Sequence, residues 1–424
     1  MLFAALLSSA CGMPASAGAE DTPDPPLLRR HAASRLTAMP PFLRDSELRL
    51  HLRTYYLNER NADESVSEAW AGGGWVSYRS GWLHDTFQMG ATVYGSAPLY
   101  APGDRDGTRL LLPGQEGFVV PGVAYGALRY RELALLTGYR QLVDQTYVNP
   151  HDNRMVPTTF EGVTLGGTAG PVRYLTGYLT RMKPRDADQF VSIAEGAGVE
   201  DGDGGLALAG IEAKPWEGFS FELSNQYATD VFNTAYARAD YEHEIAPDWR
   251  LTLSGQYTDQ RAVGDERLGG SRFESWVTWV AGARVQLEYR DLTLTSAFSV
   301  TGKGHRIETP FGQYPGYLRL IVEDFNRAGE VAWLVGLRYD ASRLLSGLEA
   351  VFNVAQGTSA IDPVTRRPEP DRVEYDVRVN YHAPKNGPTR GLAVRTSAGL
   401  VDNDGSRTPQ YEIRLILDYE IPLF

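Results

Sequence analysis

Arginine residues that alternate with apolar residues form the chemically most informative pattern in this sequence. Arg338 alternates with an apolar row in 333–339, and Arg378 does so in 375–381. Because successive side chains of a β-strand point to opposite faces, each arginine would lie opposite its apolar row. The residues placed on one inner wall in this way are Arg49, Arg53, Arg338, Arg378, Arg395 and Arg414. A guanidinium stays charged and binds a carboxylate through two parallel hydrogen bonds, so the set predicts a binding track for anionic groups.

A second candidate is the segment 143–162, VDQTYVNPHDNRMVPTTFEG, which lies between two strand-like segments. Its Pro, Asn and Asp residues favour turns, because Pro fixes φ and Asx side chains bond their own backbone. We therefore expect an ordered loop with charges of both signs, and the alternative is an idle surface loop. The candidate functional residues of this loop are Asn149, His151, Asp152, Arg154, Pro157 and Glu161.

A third group of candidates is acidic. Glu288, Glu323 and Asp324, together with Asp152 and Glu161 from the loop, would supply a negative side opposite the arginines. Opposite charges across a narrow tube would orient a zwitterion. Field focusing in such a low-dielectric tube would also raise the rate of solute capture.

The composition indicates the kind of scaffold that would position these groups. The 424 residues include 44 Gly, 23 Tyr and 8 Trp, and no run of 18 apolar residues that would form a transmembrane helix. Short alternating segments with many aromatic residues are typical of a closed transmembrane β-barrel, in which each strand is apolar on one face only. The net charge of −12 argues against nucleic-acid binding, which favours clustered basic patches.

The alternation predicts an all-β fold, a single antiparallel barrel of about eighteen strands over residues 46–424. The strands are expected near 46–58, 66–79, 83–95, 120–130, 133–142, 158–167, 172–182, 205–215, 219–228, 234–245, 249–259, 275–288, 292–300, 328–339, 347–356, 372–382, 391–401 and 409–421. Short connections such as 131–132 and 290–291 alternate with long ones such as 301–327. This asymmetry predicts short periplasmic turns and long external loops.

The direction of the arginines follows from the cost of placing charge in lipid. An arginine that faced the lipid would cost roughly 2–4 kcal/mol at the bilayer midplane, so we expect the whole set to face the lumen. For each arginine one alternative stays open, in which the side chain pairs with a neighbouring carboxylate and only stabilises the barrel wall.

The N-terminal residues predict export. Residues 1–19 contain a short apolar run followed by small residues that fit a secretory cleavage site, although the usual basic start is absent, as in a truncated signal. Cys11 is the only cysteine, which excludes an intrachain disulfide. Residues 20–45 are rich in Pro and charge and predict a flexible periplasmic lead-in.

Enzymatic, metal-binding and structural functions are the rivals of this interpretation. No histidine lies in a G-x-S-x-G or H-E-x-x-H setting, and His151 beside Asp152 is interpreted as a loop hydrogen-bonding residue. No paired Cys or His has metal-ligand spacing, so we predict no enzyme, metal or cofactor. The alternatives kept open are a non-selective or plugged structural barrel and, less favoured, an outer-membrane hydrolase. A channel for hydrophobic molecules would need an apolar N-terminal hatch, and 20–41 is too polar for one.

Several segments resemble the OprD-type family of substrate-specific outer-membrane porins. They are LRTYYLNER at 52–60, EAWAGGGWVSYRSGW at 68–82, DNRMVPTTFEGV at 152–163, EDFNRAGEVAWLVGLRYD at 323–340 and RLILDYEIPLF at 414–424. The resemblance implies an eighteen-stranded barrel whose third external loop folds inward and forms the constriction of the pore, with Asp152, Arg154 and Pro157 on that loop. Family members pass carboxylate-bearing solutes along a ladder of basic residues, which the inward arginines match approximately. Leu136, where many relatives carry a basic residue, and a reshaped loop around 305–317 depart from the family.

Together these patterns predict a porin of the bacterial outer membrane that crosses it with many strands. Its solutes would be small and water-soluble and would bear a carboxylate, such as amino acids and small organic or aromatic acids. The expected partners are outer-membrane lipid, lipopolysaccharide and anionic or zwitterionic solutes, with no nucleic acid. We expect a monomer or a weak trimer.

Overall fold

The computed structural model describes residues 37–264, 275–387, 389–406 and 408–424, together with Arg35. Antiparallel β-sheet accounts for nearly all the regular structure in these ranges. The strands are β1 (Glu47–Arg60), β2 (Val66–Arg79), β3 (Phe87–Tyr100), β4 (Phe118–Tyr130), β5 (Ala134–Gln141), β6 (Thr159–Ala169), β7 (Val172–Lys183), β8 (Val191–Ser192), β9 (Leu206–Trp216), β10 (Phe219–Ala228), β11 (Phe232–Ala246), β12 (Trp249–Ala262), β13 (Val277–Tyr289), β14 (Leu292–Thr301), β15 (Val331–Asp340), β16 (Leu348–Thr358), β17 (Arg372–His382), β18 (Leu392–Asn403) and β19 (Gln410–Pro422). The helical segments are α1 (Pro41–Arg44), α2 (Ile193–Gly196) and a 3-10 turn (Gly103–Arg105).

The sheet closes into a barrel because its first and last strands pair with each other. β1 pairs with β2 on one side and with β19 on the other, from Arg49 opposite Pro422 to Arg60 opposite Tyr411. The two-residue strand β8 pairs with the end of β7 beside the ring, while β7 pairs with β9 along the rest of its length. Without β8 the ring has eighteen strands, which confirms the predicted fold.

The outer surface of the ring is apolar. Leu52, Val335 and Leu415 are 44%, 45% and 48% exposed, whereas Arg53, the neighbour of Leu52, is 5% exposed. A band of exposed apolar side chains is what a transmembrane barrel presents to lipid. The described residues include no helix of the length and apolarity needed to cross a membrane.

The strand bounds lie within a few residues of the prediction. One difference has a clear local cause. β3 begins at Phe87 instead of residue 83, because His84 and Asp85 have positive φ angles of 48° and 58° in the preceding turn. Residues in that conformation cannot continue an extended strand.

Part of the predicted lead-in is structured. Pro41–Arg44 form the helical turn α1, and the Phe42 carbonyl oxygen accepts a hydrogen bond from the Gly81 backbone N–H at 2.9 Å. This contact ties the lead-in to the turn between β2 and β3. The predicted signal peptide at 1–19 lies outside the described residues.

The long connections gather at one rim of the barrel, and most of the short turns lie at the other rim, together with the start of β1 and the end of β19. The long connections include loop 3 (142–158), loop 4 (184–205) and loop 7 (302–330). Loop 3 folds into the lumen, as predicted. Its Met155 is fully buried in an apolar cluster that includes Tyr55 of β1, and its Tyr147 hydroxyl lies 2.7 Å from the Thr258 hydroxyl of β12. The loop therefore spans the interior between two distant parts of the wall.

Candidate functional site

Arg53 of β1 fastens loop 3 to the barrel wall. Its Nε donates to Asp418 Oδ1 at 2.6 Å, and its Nη1 donates to Asp152 Oδ1 at 2.6 Å and to the Arg154 carbonyl oxygen at 2.8 Å. The Arg53 side chain is only 3% exposed, so it has little capacity left for a solute. Asp152 thus lies against the arginine wall and not opposite it as predicted, because the loop reaches this wall to make the contact.

Asp418 of β19 is shared by three basic side chains. It accepts from Arg53 and from Arg395 Nη2, the latter at 2.5 Å, and its Oδ1 lies 2.8 Å from His51 Nε2. The register across the seam accounts for this, since Arg53 stands directly opposite Asp418. The Arg395 side chain stays 34% exposed, and its remaining N–H donors are not used by Asp418.

Three further predicted arginines line the lumen and are also paired. Arg378 Nη2 donates to Asp376 Oδ2 at 3.1 Å, and Arg338 Nη1 donates to Glu349 Oε2 at 3.3 Å. Arg49 forms ion pairs with one carboxylate of β1 and one of β19 at 2.8 and 3.2 Å. All three face a lumen cavity of about 3560 Å³ that extends from the short turns up to loops 3 and 7. The pairing that the simpler interpretation expected is therefore present, and it leaves guanidinium surface in the cavity.

Loop 7 is held by its backbone. Asp376 accepts the first amide N–H of the segment 321–323 at 3.1 Å, and Glu374 accepts the next two at 2.8 and 2.9 Å. Both carboxylates belong to β17 and are fully buried. Arg414 of β19 donates to the first carbonyl oxygen of the segment at 2.8 Å. We call this arrangement the loop 7 clamp: residues 321–323, Glu374, Asp376 and Arg414.

The clamp changes the interpretation of the predicted acidic side. Glu323 is drawn onto β17, where it pairs with Arg372, so it lies on the same wall as Arg378 and not opposite. Asp324 follows it directly along the chain. Only Glu288, on β13, lines the cavity from a distant part of the ring.

The other predicted loop 3 residues have distinct contacts. Asn149 Oδ1 accepts from the Gln313 backbone N–H at 3.0 Å and so joins loop 3 to loop 7. Pro157 is buried just before β6. Glu161 lies within β6 and pairs with Arg140 of β5 at 3.2 Å, so it belongs to the wall and not to the loop, because the strand begins at Thr159.

Three arginines of loops 3, 4 and 7 form no ion pair with a carboxylate in the part of the chain that the structure describes. Arg154 Nε donates to a backbone carbonyl at 2.9 Å, Arg185 of loop 4 donates to the Asn153 side chain, and Arg319 of loop 7 does neither. The positive charge of these arginines affects the pKa of His151. Burial and the nearby guanidinium groups, led by those of Arg185 and Arg319, lower the pKa of His151 to about 2, so its imidazole is neutral. The constriction between the loops is therefore an environment that disfavours added positive charge.

Sequence reasoning missed several arginines of the lumen, including two in loops and two in the middle of strands. Arg185 and Arg319 lie in loops, where no period of two exists to indicate direction. Arg238 and Arg284 lie on β11 and β13 and line the cavity. They do alternate with outward residues, but those are mostly alanines, which made a weak apolar row. The described residues hold no group of three or more side chains placed to bind a metal ion.

A closed barrel with a lipid-facing band and inward-folded loops over a wide lumen defines an outer-membrane porin. The chain belongs to the OprD family of outer membrane porins, whose family model matches residues 40–423. The predicted family and the bacterial outer-membrane location are thereby confirmed. No curated protein matches the chain in sequence.

Solved structures show the same fold at low sequence identity. OccK9 (OpdG) of Pseudomonas aeruginosa has a TM-score of 0.80 and 22% identity, with 90% of this chain and 100% of that chain covered. OpdK of Pseudomonas aeruginosa, solved with vanillate, has a TM-score of 0.78 and 20% identity over the same shares of each chain. A BenF-like porin from Pseudomonas fluorescens Pf-5 has a TM-score of 0.78 and 18% identity, again with 90% and 100% covered.

Proposed function

We propose that this porin gives selective passive uptake of small water-soluble solutes that bear a carboxylate, and that it performs no reaction on them. The observation that carries the proposal is the group of cations at the constriction. Arg154, Arg185 and Arg319 have no carboxylate partner among the described residues, and Arg378 and Arg395 expose about a third of their side chains.

Guanidinium groups suit this task for two reasons. Each stays charged at any physiological pH and offers five N–H donors in a planar fork, so a single ion pair does not exhaust it. In a narrow tube with low-dielectric walls, the field of such groups attracts anions from a distance and raises their rate of capture. A carboxylate would then move from one partly exposed arginine to the next without any site that holds it too tightly.

The solved relatives support the choice of solute class. The OpdK structure contains vanillate, which is an aromatic carboxylate, and another relative is described as BenF-like. Small aromatic acids are therefore the probes that we would try first.

The test compares benzoate with its neutral counterpart benzamide in proteoliposomes. Replacing Arg378 and Arg395 together with Ala removes two lumen cations, and each charge-assisted hydrogen bond is worth about 1.5–3 kcal/mol. We expect benzoate uptake to fall by about tenfold while benzamide uptake stays within about twofold of the parent. The control is Arg343→Ala, which removes an arginine at the short-turn rim that pairs with Asp291 at 2.8 Å. Unchanged benzoate uptake in the double variant would refute carboxylate selectivity.

The runner-up is a non-selective or plugged structural barrel. The lumen cavity of about 3560 Å³ favours an open channel over a plugged one. Planar-bilayer recording separates the cases, because a plugged barrel gives no conductance steps and a non-selective one passes benzoate and benzamide alike.

A further inference from the structure

We propose that Arg319 of loop 7 is the residue that receives the carboxylate of the solute at the constriction and thereby determines specificity. The inference rests on the proposed function and assigns its recognition step to one side chain. Loop 7, and not the barrel wall alone, would then carry the selectivity of the pore.

Arg319 differs from every other lumen arginine discussed above in its lack of contacts. Its side chain lines the lumen cavity but makes no hydrogen bond or ion pair with the described residues. Arg306 of the same loop shows the usual alternative, because its Nε donates to Glu308 Oε1 at 2.7 Å. A partly buried guanidinium without a hydrogen-bonded partner carries a desolvation cost, which the nearby Asp324 carboxylate offsets only in part.

The charges around Arg319 explain which ligand would complete the site. Burial lowers the pKa of Arg319 to about 10, and the charges of Arg378 and Arg414 act in the same direction, while Asp324 opposes them. The Arg319 guanidinium, which has one carboxylate and two other guanidinium groups near it, is therefore stabilised most by a second negative charge at close range. A carboxylate placed between Arg319 and Arg378 would satisfy donors on both, as bidentate guanidinium recognition requires.

The backbone at Arg319 is held in place although its side chain is not. The Arg319 N–H donates to the Gly316 carbonyl oxygen at 3.3 Å, and the loop 7 clamp begins two residues later. Fixing the backbone limits the freedom that a solute would otherwise have to remove, so the site is preorganised for an anion.

The test is the variant Arg319→Gln in proteoliposomes, with the ratio of benzoate to benzamide uptake as the readout. Loss of one charge-assisted pair should lower this ratio by about tenfold. Arg306→Gln is the matched control on the same loop and should leave the ratio within about twofold of the parent, because its charge is already paired with Glu308. Arg319→Lys keeps the charge but loses the fork, so an intermediate ratio is expected.

Each outcome is informative. If Arg319→Gln keeps the parental ratio while the Arg378 and Arg395 double variant loses it, the role of Arg319 is refuted and the proposed function stands. If neither variant changes the ratio, the proposed function itself fails. Heat-modifiable mobility on gels verifies that each barrel is folded, and Arg319→Lys supplies the decisive measurement should Arg319→Gln not fold. A parental ratio in Arg319→Lys together with a reduced ratio in Arg306→Gln would also overturn the assignment.

Discussion

Loop 3 and loop 7 both enter the lumen, but they are attached to the wall by different parts of the chain. Loop 3 is attached through a charged side chain, since its Asp152 carboxylate meets the Arg53 guanidinium, which also binds the Arg154 carbonyl oxygen. Loop 7 is attached by its backbone, since buried carboxylates of β17 accept the amides of 321–323. The first mode consumes charge that a solute would need. The second leaves the side chains of the loop, Arg319 above all, available to the pore.

The largest expected effect comes from breaking the attachment of loop 3. Arg53→Met removes a buried guanidinium from Asp152 and Asp418, and because Asp152 is partly exposed we expect a loss of about 2–3 kcal/mol in the free energy of unfolding. Urea titration in detergent micelles measures it. Arg49→Met is the matched control, with both of its ion pairs near the exposed rim, and should cost less than about 0.5 kcal/mol. Equal losses in the two variants would show that Arg53 has no special part in fixing loop 3.

A smaller effect is expected from weakening the loop 7 clamp. Glu374→Gln replaces one of two acceptor oxygens by an NH₂ group, so one amide of 321–323 loses its partner at a cost of about 1–3 kcal/mol. We expect faster proteolytic cleavage within loop 7 and more current fluctuation in single-channel records. Glu349→Gln on β16 is the control, because Glu349 accepts hydrogen bonds from the side chains of Arg338 and Asn380. If the Glu374→Gln channel shows the parental rate of cleavage in loop 7 and the parental current fluctuation, the clamp does not restrain the loop.

The smallest effect is a dependence of ion selectivity on pH. Burial raises the pKa of Asp324 to about 6, although Arg319 acts to lower it. Asp324 is therefore mostly neutral at pH 5 and charged at pH 7.5, where it offsets part of the positive charge of Arg319. We expect the anion-to-cation permeability ratio in KCl, measured from reversal potentials, to fall by about twofold as the pH rises through 6. The Asp324→Asn variant should lose this change, and the same slope in parent and variant would assign it to another group.

The strands could be predicted because lipid imposes a simple rule. Every second residue of a strand must be apolar, so the direction of Arg378 or Arg414 follows from its neighbours alone. The final strand was the clearest case, with Ile413, Leu415 and Leu417 all exposed on the outer surface. The same reasoning located loop 3, because its turn-forming residues interrupt the alternation.

The contacts of the loops could not be predicted from the sequence. The clamp joins residue 321 to Asp376, which depends on how far loop 7 reaches along the wall and leaves no local pattern. For this reason the prediction put Glu323 on the wrong side and missed Arg319. Arg53 was placed correctly on the inner face, yet its partner Asp418 is supplied by the opposite end of the chain through the pairing of β1 with β19.

The pairing of β1 with β19 therefore does two things. It closes the barrel, and it brings Arg53 to its partner Asp418. While β1 and β19 remain apart, each presents an open hydrogen-bonding edge, and the guanidinium of Arg53 has yet to meet Asp418. If the sheet entered the bilayer with β1 and β19 unpaired, both the open strand edges and the unpaired guanidinium of Arg53 would cost free energy. Closure of the seam therefore satisfies the two strand edges and, in the same step, neutralises the charge of the arginine that fastens the inner loop.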